Sequence, residues 1–135
     1  MDRIFLDANV LFSAAYRSQT GLHRLWQLED VALITSEFAA EETKRNLSDE
    51  KSRKRLRTLL KSVQVFTQIP QAVMPPEIDL PDKDQPILLA AIHAGATHLL
   101  AGDKQHFGAY FSQRIQGVLI LPPAEYFRRR MASAP

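Results

Sequence analysis

Short apolar runs alternate along the whole chain with stretches in which apolar residues recur every three or four positions, the periods of strand and of amphipathic helix. Arg3 to Leu6 is a β-type run ending at Asp7, and Asn9 is placed to cap a helix carrying Val10, Leu11, Ala14 and Ala15. Thr20 precedes a second helical pattern in which Leu22, Leu25, Trp26 and Leu28 or Glu29 share one face. Val31 to Thr35 predicts the second strand. Ser36 caps a helix from Glu37 to about Leu47, and Ser48 or Asp49 caps another whose apolar stripe is Leu56, Leu59, Leu60 and Val63. Val63 to Ile69 is a third strand-like run, after which Pro70, Pro75, Pro76 and Pro81 bar regular structure from a long loop. Asp82 to Asp84 opens a helix that is apolar on nearly every side, Ile87 to Ile92, and that Gly95 is placed to end; it should be the most buried helix. Thr97 to Ala101 predicts strand four with Gly102-Asp103 as its turn. Gly117 to Leu121 predicts strand five, ended by Pro122-Pro123 before a last short helix.

Strands alternating with helices imply right-handed crossovers onto one sheet covered on both faces, an α/β fold of three layers, α/β/α, with a mostly parallel five-stranded sheet. The expected organisation is a single domain over residues 1–131 with a frayed Ala/Ser/Pro tail at 132–135. In such sheets ligand sites lie outside the carboxyl ends of the strands. Four acids can reach that edge. Asp7 and Asp103 each follow a strand directly, Glu42 follows strand two by about two helical turns, and Asp84 starts the helix whose far end feeds strand four.

Each of the four also has a plainer reading. Asp7 could be a turn aspartate, although Phe5 and Leu6 make it an unexpected place for a charge. On a helical wheel Ala39, Thr43 and Leu47 define the packed stripe, with Glu42 beside it and Glu41 nearly opposite, which favours Glu42; a solvated glutamate pairing with Arg45 or Asn46 is the alternative. Asp84 abuts the buried helix more directly than Asp82, and an acid there also caps the helix. Asp103 could merely complete a turn. Carboxylates crowded into one cleft repel one another, and divalent cations placed between them are the simplest way to keep them ionised near neutral pH.

Composition narrows the chemistry. Zero cysteines exclude thiolate metal sites and cysteine nucleophiles. Of the four histidines only His93 and His98 are close in sequence, with Gly95 between them, so all four read as structural or surface residues rather than zinc ligands. The longest unbroken apolar stretch, Ile87 to Ile92, is far too short to span a bilayer, and the charged N-terminus lacks a secretory segment, so the expected location is the cytoplasm. Net charge is only +2, but eight of the seventeen Lys and Arg residues fall between Lys44 and Lys61, opposed there by Asp49 and Glu50. That segment is either the solvated face of amphipathic helices or a phosphate-binding surface, and its nearness to Glu42 favours RNA.

With Phe5-Leu6-Asp7-Ala8-Asn9-Val10-Leu11, Ser36 through Glu42, Asp84-Gln85-Pro86-Ile87-Leu88 and Gly102-Asp103-Lys104-Gln105-His106-Phe107 assembled, the chain resembles PIN domains end to end, in particular stand-alone prokaryotic PIN proteins including VapC-type toxins of toxin–antitoxin pairs. The resemblance implies a metal-dependent ribonuclease in which Asp7, Glu42, Asp84 and Asp103 hold one or two Mg²⁺ or Mn²⁺ ions, a homodimer, and an antitoxin protein as partner. Family members often carry Ser or Thr two residues before the last acid, where this chain has Ala101. Asn9 is then a helix cap or an amide that orients water, and Lys44, Arg53 and Arg57 are the candidate RNA contacts. Two other readings stay open: a phosphatase-like enzyme using Asp7 as phosphoryl acceptor, for which Asn9 stands where a second Asp is usual, and a non-catalytic RNA- or protein-binding PIN scaffold.

Overall fold

The structure is a computed structural model, described here for residues 1–67 and 73–133. Six strands form one sheet in the order β3-β2-β1-β4-β6-β5: β1 (Asp2–Leu6), β2 (Val31–Ser36), β3 (Val63–Phe66), β4 (His98–Leu100), β5 (Arg114–Ile115) and β6 (Val118–Leu121). All pairs are parallel except β5 with β6. The central strands are apolar without alternation because helices cover both faces of a parallel sheet, and Ile4, Phe5, Leu6, Leu99, Leu100, Ile120 and Leu121 are fully buried.

The expected five strands become six because residues 114–121 form a hairpin. Gln116 and Gly117 both have positive φ, 47° and 87°, the two-residue turn whose twist suits antiparallel strands. A two-residue strand with a Gln-Gly turn carries too little pattern to be read from sequence. Strand four is shorter than expected, His98–Leu100. The end of the third predicted strand and the start of the proline-rich loop, residues 68–72, lie outside the described residues.

The helices are α1 (Ala8–Tyr16), α2 (Glu37–Asn46), α3 (Glu50–Leu60), α4 (Gln85–His93), α5 (Lys104–Phe107) and α6 (Pro123–Ser133). The pattern after Thr20 is a 3₁₀ helix over Gly21–Gln27, with Thr20 accepting from the Leu22 amide and Leu25 alone fully buried. Ser36 caps α2 through Ala39 N, and Asp49 rather than Ser48 caps α3 through Ser52 N. The buried face of α4 is Ile87, Leu88, Ala90 and Ala91, and Gly95, at φ 68°, ends it. Helix α6 runs to Ser133, through two of the four residues expected to fray; 134 and 135 lie outside the described residues.

The chain steps from β1 outward to β2 and β3, then returns across the sheet to β4 on the other side of β1. Right-handed crossovers running in opposite directions place their helices on opposite faces. The reversal makes the β1/β4 boundary the topological switch point, where the strand ends splay and a crevice opens. Asp7 N continues the ladder by donating to Leu100 O at 3.1 Å, so the turns after β1 and β4 lie side by side.

Candidate active site

Asp7 is the residue at which β1 becomes α1. It corrects the expectation that Asn9 caps this helix: Asp7 is the cap, its Oδ1 accepting from Ala8 N at 2.7 Å. Asn9 lies inside the first turn, and its Oδ1 accepts from Gly102 N at 3.1 Å, which ties the β1 turn to the β4 turn. Asp7 is 6% exposed. Burial pushes its carboxyl up to about 7, against the opposing effect of the Ala8 hydrogen bond, and the negative charges of Asp84, Glu42 and Asp103 push in the same direction as burial.

Helix α2 supplies Glu42. Ala39, Thr43 and Leu47 are buried as the wheel requires, Glu42 is half-buried beside them and Glu41 is exposed. The Thr43 hydroxyl, within reach of both Ala39 O (2.8 Å) and Ala8 O (3.2 Å), fastens α2 to the start of α1. Glu42 is thereby held toward the Asp7 turn.

Asp84 stands at the start of α4 but its side chain does not cap it: the backbone there is helical and no cap hydrogen bond forms. Its Oδ2 is shielded from solvent with no hydrogen-bond partner. His106 Nδ1 approaches that oxygen to 3.2 Å without the alignment of a hydrogen bond, and lies 2.9 Å from Asp103 Oδ2. Burial raises the Asp84 carboxyl, while the neighbouring His106 and Lys83 oppose the rise. Asp103 fulfils its plainer role as well, its Oδ1 capping α5 through Gln105 N at 2.8 Å. Asp82 is exposed, and its Oδ1 accepts from Gln85 Nε2 at 3.4 Å.

Asp7, Glu42, Asp84 and Asp103 line one cleft of about 370 Å³, together with Ala8, Asn9, Phe12, Ser13, Asn46, Lys83 and His106. His106 therefore departs from the expectation of a structural or surface histidine. It reaches two of the four acids, Asp84 and Asp103. His106, which could pack over the cleft because it follows Asp103, does so; Lys83 and Asn46 reach it as close sequence neighbours of Asp84 and Glu42, a local signal the four acids overshadow. Lys44, Arg53 and Arg57 do not line this cleft. They flank a separate hollow between α2 and α3, where Arg53 donates to Leu47 O and Arg57 pairs with Glu50.

The donor set is all oxygen, suited to Mg²⁺ or Mn²⁺, and the partnerless buried Asp84 oxygen is a place such an ion would satisfy. Among the described residues no three of these donors are already spaced around one point, so an ion would be held only after the side chains adjust.

The family model described as PIN domain matches residues 3–105, most of the chain. This chain belongs to the PIN domain family. Solved structures match over most of their length. VapBC2 from Rickettsia felis, solved bound to a DNA fragment from its promoter, is 13% identical, with 89% of this chain and 98% of that chain covered at a TM-score of 0.66. Mycobacterium tuberculosis VapC20, a sarcin–ricin loop cleaving toxin, is 17% identical, with 84% and 97% covered at 0.57. The PIN domain of T. brucei RRP44 is 11% identical, with 98% and 82% covered at 0.56. At these identities the likeness establishes the PIN fold and not the substrate. A search of curated sequences returns no match.

Proposed function

We propose that this PIN domain is a metal-dependent ribonuclease that hydrolyses RNA phosphodiester bonds, with Asp7, Glu42, Asp84 and Asp103 holding Mg²⁺ or Mn²⁺. The observation that carries the reading is the convergence of four acids from four segments on one cleft, one of them with a buried and unpartnered oxygen. When bound, the ion supplies activation of water and neutralisation of charge at the phosphate. The chain's own groups do the rest. Asp7, its Oδ1 fixed by the Ala8 amide, lines the cleft. Asn9 holds the Asp7 and Asp103 turns at constant separation. Lys83 brings a positive charge to a cleft otherwise dominated by acids and is placed to meet a phosphate, a position not filled by Lys44, Arg53 or Arg57. Ala101 is fully buried and supplies no hydroxyl there.

The toxin of a toxin–antitoxin pair is the biological role this reading favours, in line with the VapBC and VapC20 likenesses. With that role go an antitoxin partner, a homodimer and a cytoplasmic location. Among the described residues no helix is long and apolar enough to cross a membrane. Asp7 as a phosphoryl acceptor fits less well, because the neighbouring position carries Asn9, whose oxygen is already engaged by Gly102.

Incubation of the pure protein with end-labelled RNA should give cleavage with Mn²⁺, none with EDTA, and none with Asp7→Asn. EDTA-sensitive cleavage surviving in folded Asp7→Asn would overturn the assignment. Phosphate found covalently on Asp7 would replace it with the phosphatase reading.

A further inference from the structure

The inner face of α1 is buried through Val10, Leu11, Ala14 and Ala15. Its outer face carries Asn9, Phe12, Ser13 and Tyr16, at the three-to-four spacing that aligns side chains along one side of a helix. The first three of these line the carboxylate cleft. Tyr16 continues the same stripe by one turn, and its ring stacks on Phe12 with centroids 5.5 Å apart and planes 14° from parallel. Tyr16 is nonetheless 53% exposed, so one ring face is covered by Phe12 while much of the rest is open to solvent.

Positive charge borders the same helix end. The basic helix α3 packs against α1, and Arg55 from α3 donates to Ala15 O at 2.6 Å, setting a guanidinium at the C-terminal end of α1. Exposed Arg17 follows Tyr16 directly. A protein-docking face needs a contiguous apolar area of several hundred Å². Among the described residues the other large exposed apolar side chains are Met1, Val73 and Met131, none of them on α1, so the open apolar surface of this helix is Tyr16 with the half-buried Phe12 beside it. An open aromatic ring beside cations at the mouth of an anion-processing cleft matches how proteins hold unpaired bases.

We propose that Phe12 and Tyr16 form a stacking platform that seats an unpaired nucleobase beside the phosphate to be cut. This rests on the ribonuclease reading above for the identity of the nucleic acid. Phe12 forms the floor and Tyr16 the exposed step, while Arg55 and Arg17 lie near the adjoining backbone. A base locked in a duplex cannot lie against the ring, so the platform selects against paired RNA without reading sequence.

The test uses the full chain carrying Asp7→Asn, to prevent cleavage, and a short single-stranded oligoribonucleotide containing 2-aminopurine. Binding should quench the probe. Adding Tyr16→Ala should weaken binding about tenfold and remove the quench, whereas Tyr16→Phe keeps both and a blunt duplex is bound equally by all three. Unchanged affinity and quench in Tyr16→Ala overturn the proposal. So does a fall from dimer to monomer in Tyr16→Ala with RNA binding intact, which makes the ring a self-association contact. In parallel, the chain with native Asp7 is assayed for RNA cleavage with Mn²⁺. No cleavage alongside a Tyr16-dependent quench supports the platform and removes the nuclease reading; cleavage that Tyr16→Ala leaves unaltered removes the platform alone.

Discussion

Without a metal ion Asp7 burdens the fold, and removing its charge should stabilise the protein. Its carboxyl titrates at about 7 in the folded chain against 3.8 as an isolated group, chiefly because burial disfavours the charged form. The folded state therefore binds this proton more tightly than the unfolded state does. Stability is fully present below the unfolded value and is lost as pH rises through the folded one. A difference of about three units at roughly 1.4 kcal/mol each sets an upper bound of about 4 kcal/mol at alkaline pH. Asp7→Asn keeps the shape and the cap, since an amide oxygen can accept from Ala8 N as a carboxylate does. In EDTA near pH 8, Asp7→Asn should raise Tm, on the order of 10 °C if most of that energy is recovered in a domain of this size. The gain should shrink as pH falls and vanish near pH 4. Excess Mn²⁺ should reverse the order by stabilising the wild type and leaving the variant nearly unmoved. Differential scanning fluorimetry over that pH range, with EDTA or Mn²⁺, reads all of this. A variant no more stable than wild type in EDTA at pH 8 would refute the reasoning.

Three further outcomes are expected. Replacing His106 with Gln removes the group that opposes the rise of Asp84, so the Mn²⁺-induced gain in Tm should exceed that of wild type; equal gains would show that the histidine does not substitute for the ion. Thr43→Val loses the hydroxyl joining α2 to α1, which should lower stability by about 1 kcal/mol in urea titration and weaken Mn²⁺ binding through Glu42, with Glu41→Gln as the silent control. Gly117→Ala meets no neighbouring atom but sits at φ 87°, so it should cost about 1 kcal/mol of pure backbone strain with cleavage unaltered; a large loss of activity would mean the hairpin reaches the cleft.

Layer order and the nature of the sheet are legible in the sequence because parallel strands buried on both faces leave unmixed apolar runs such as Ile4–Leu6 and Val118–Leu121. The Glu42 side of α2 could be chosen over Glu41 because helical geometry fixes which neighbours of a packed stripe face inward. Capping was less legible at Asp7-Ala8-Asn9, where two good capping residues stand two apart and the choice depends on the neighbouring Gly102 amide from a remote turn. His106, Lys83 and Asn46 stand one to four residues from Asp103, Asp84 and Glu42, so local spacing brings them near the acids, but nothing in the pattern requires their side chains to turn into the cleft. The basic residues are a different case: α3 is amphipathic, and Arg53 and Arg57 line a hollow with Lys44 and Glu41 rather than the acidic cleft, a placement that charge clustering alone does not give.

The terminal hairpin has a consequence for how the protein keeps to itself in solution. Strand β6 is four consecutive apolar residues, all buried, and its outer side is covered by the two residues of β5 and, just before them, by Ser112 and Gln113, whose backbone bonds Ile120. Were β5 to peel away, β6 would present an open row of amide and carbonyl groups on an apolar ribbon, the kind of border that recruits a strand from another molecule. The guard is cheap because Arg114 is exposed and the strand is too short to template a further partner. Colloidal behaviour on storage or overexpression thus hinges on a turn of two left-handed residues rather than on the bulk of the core.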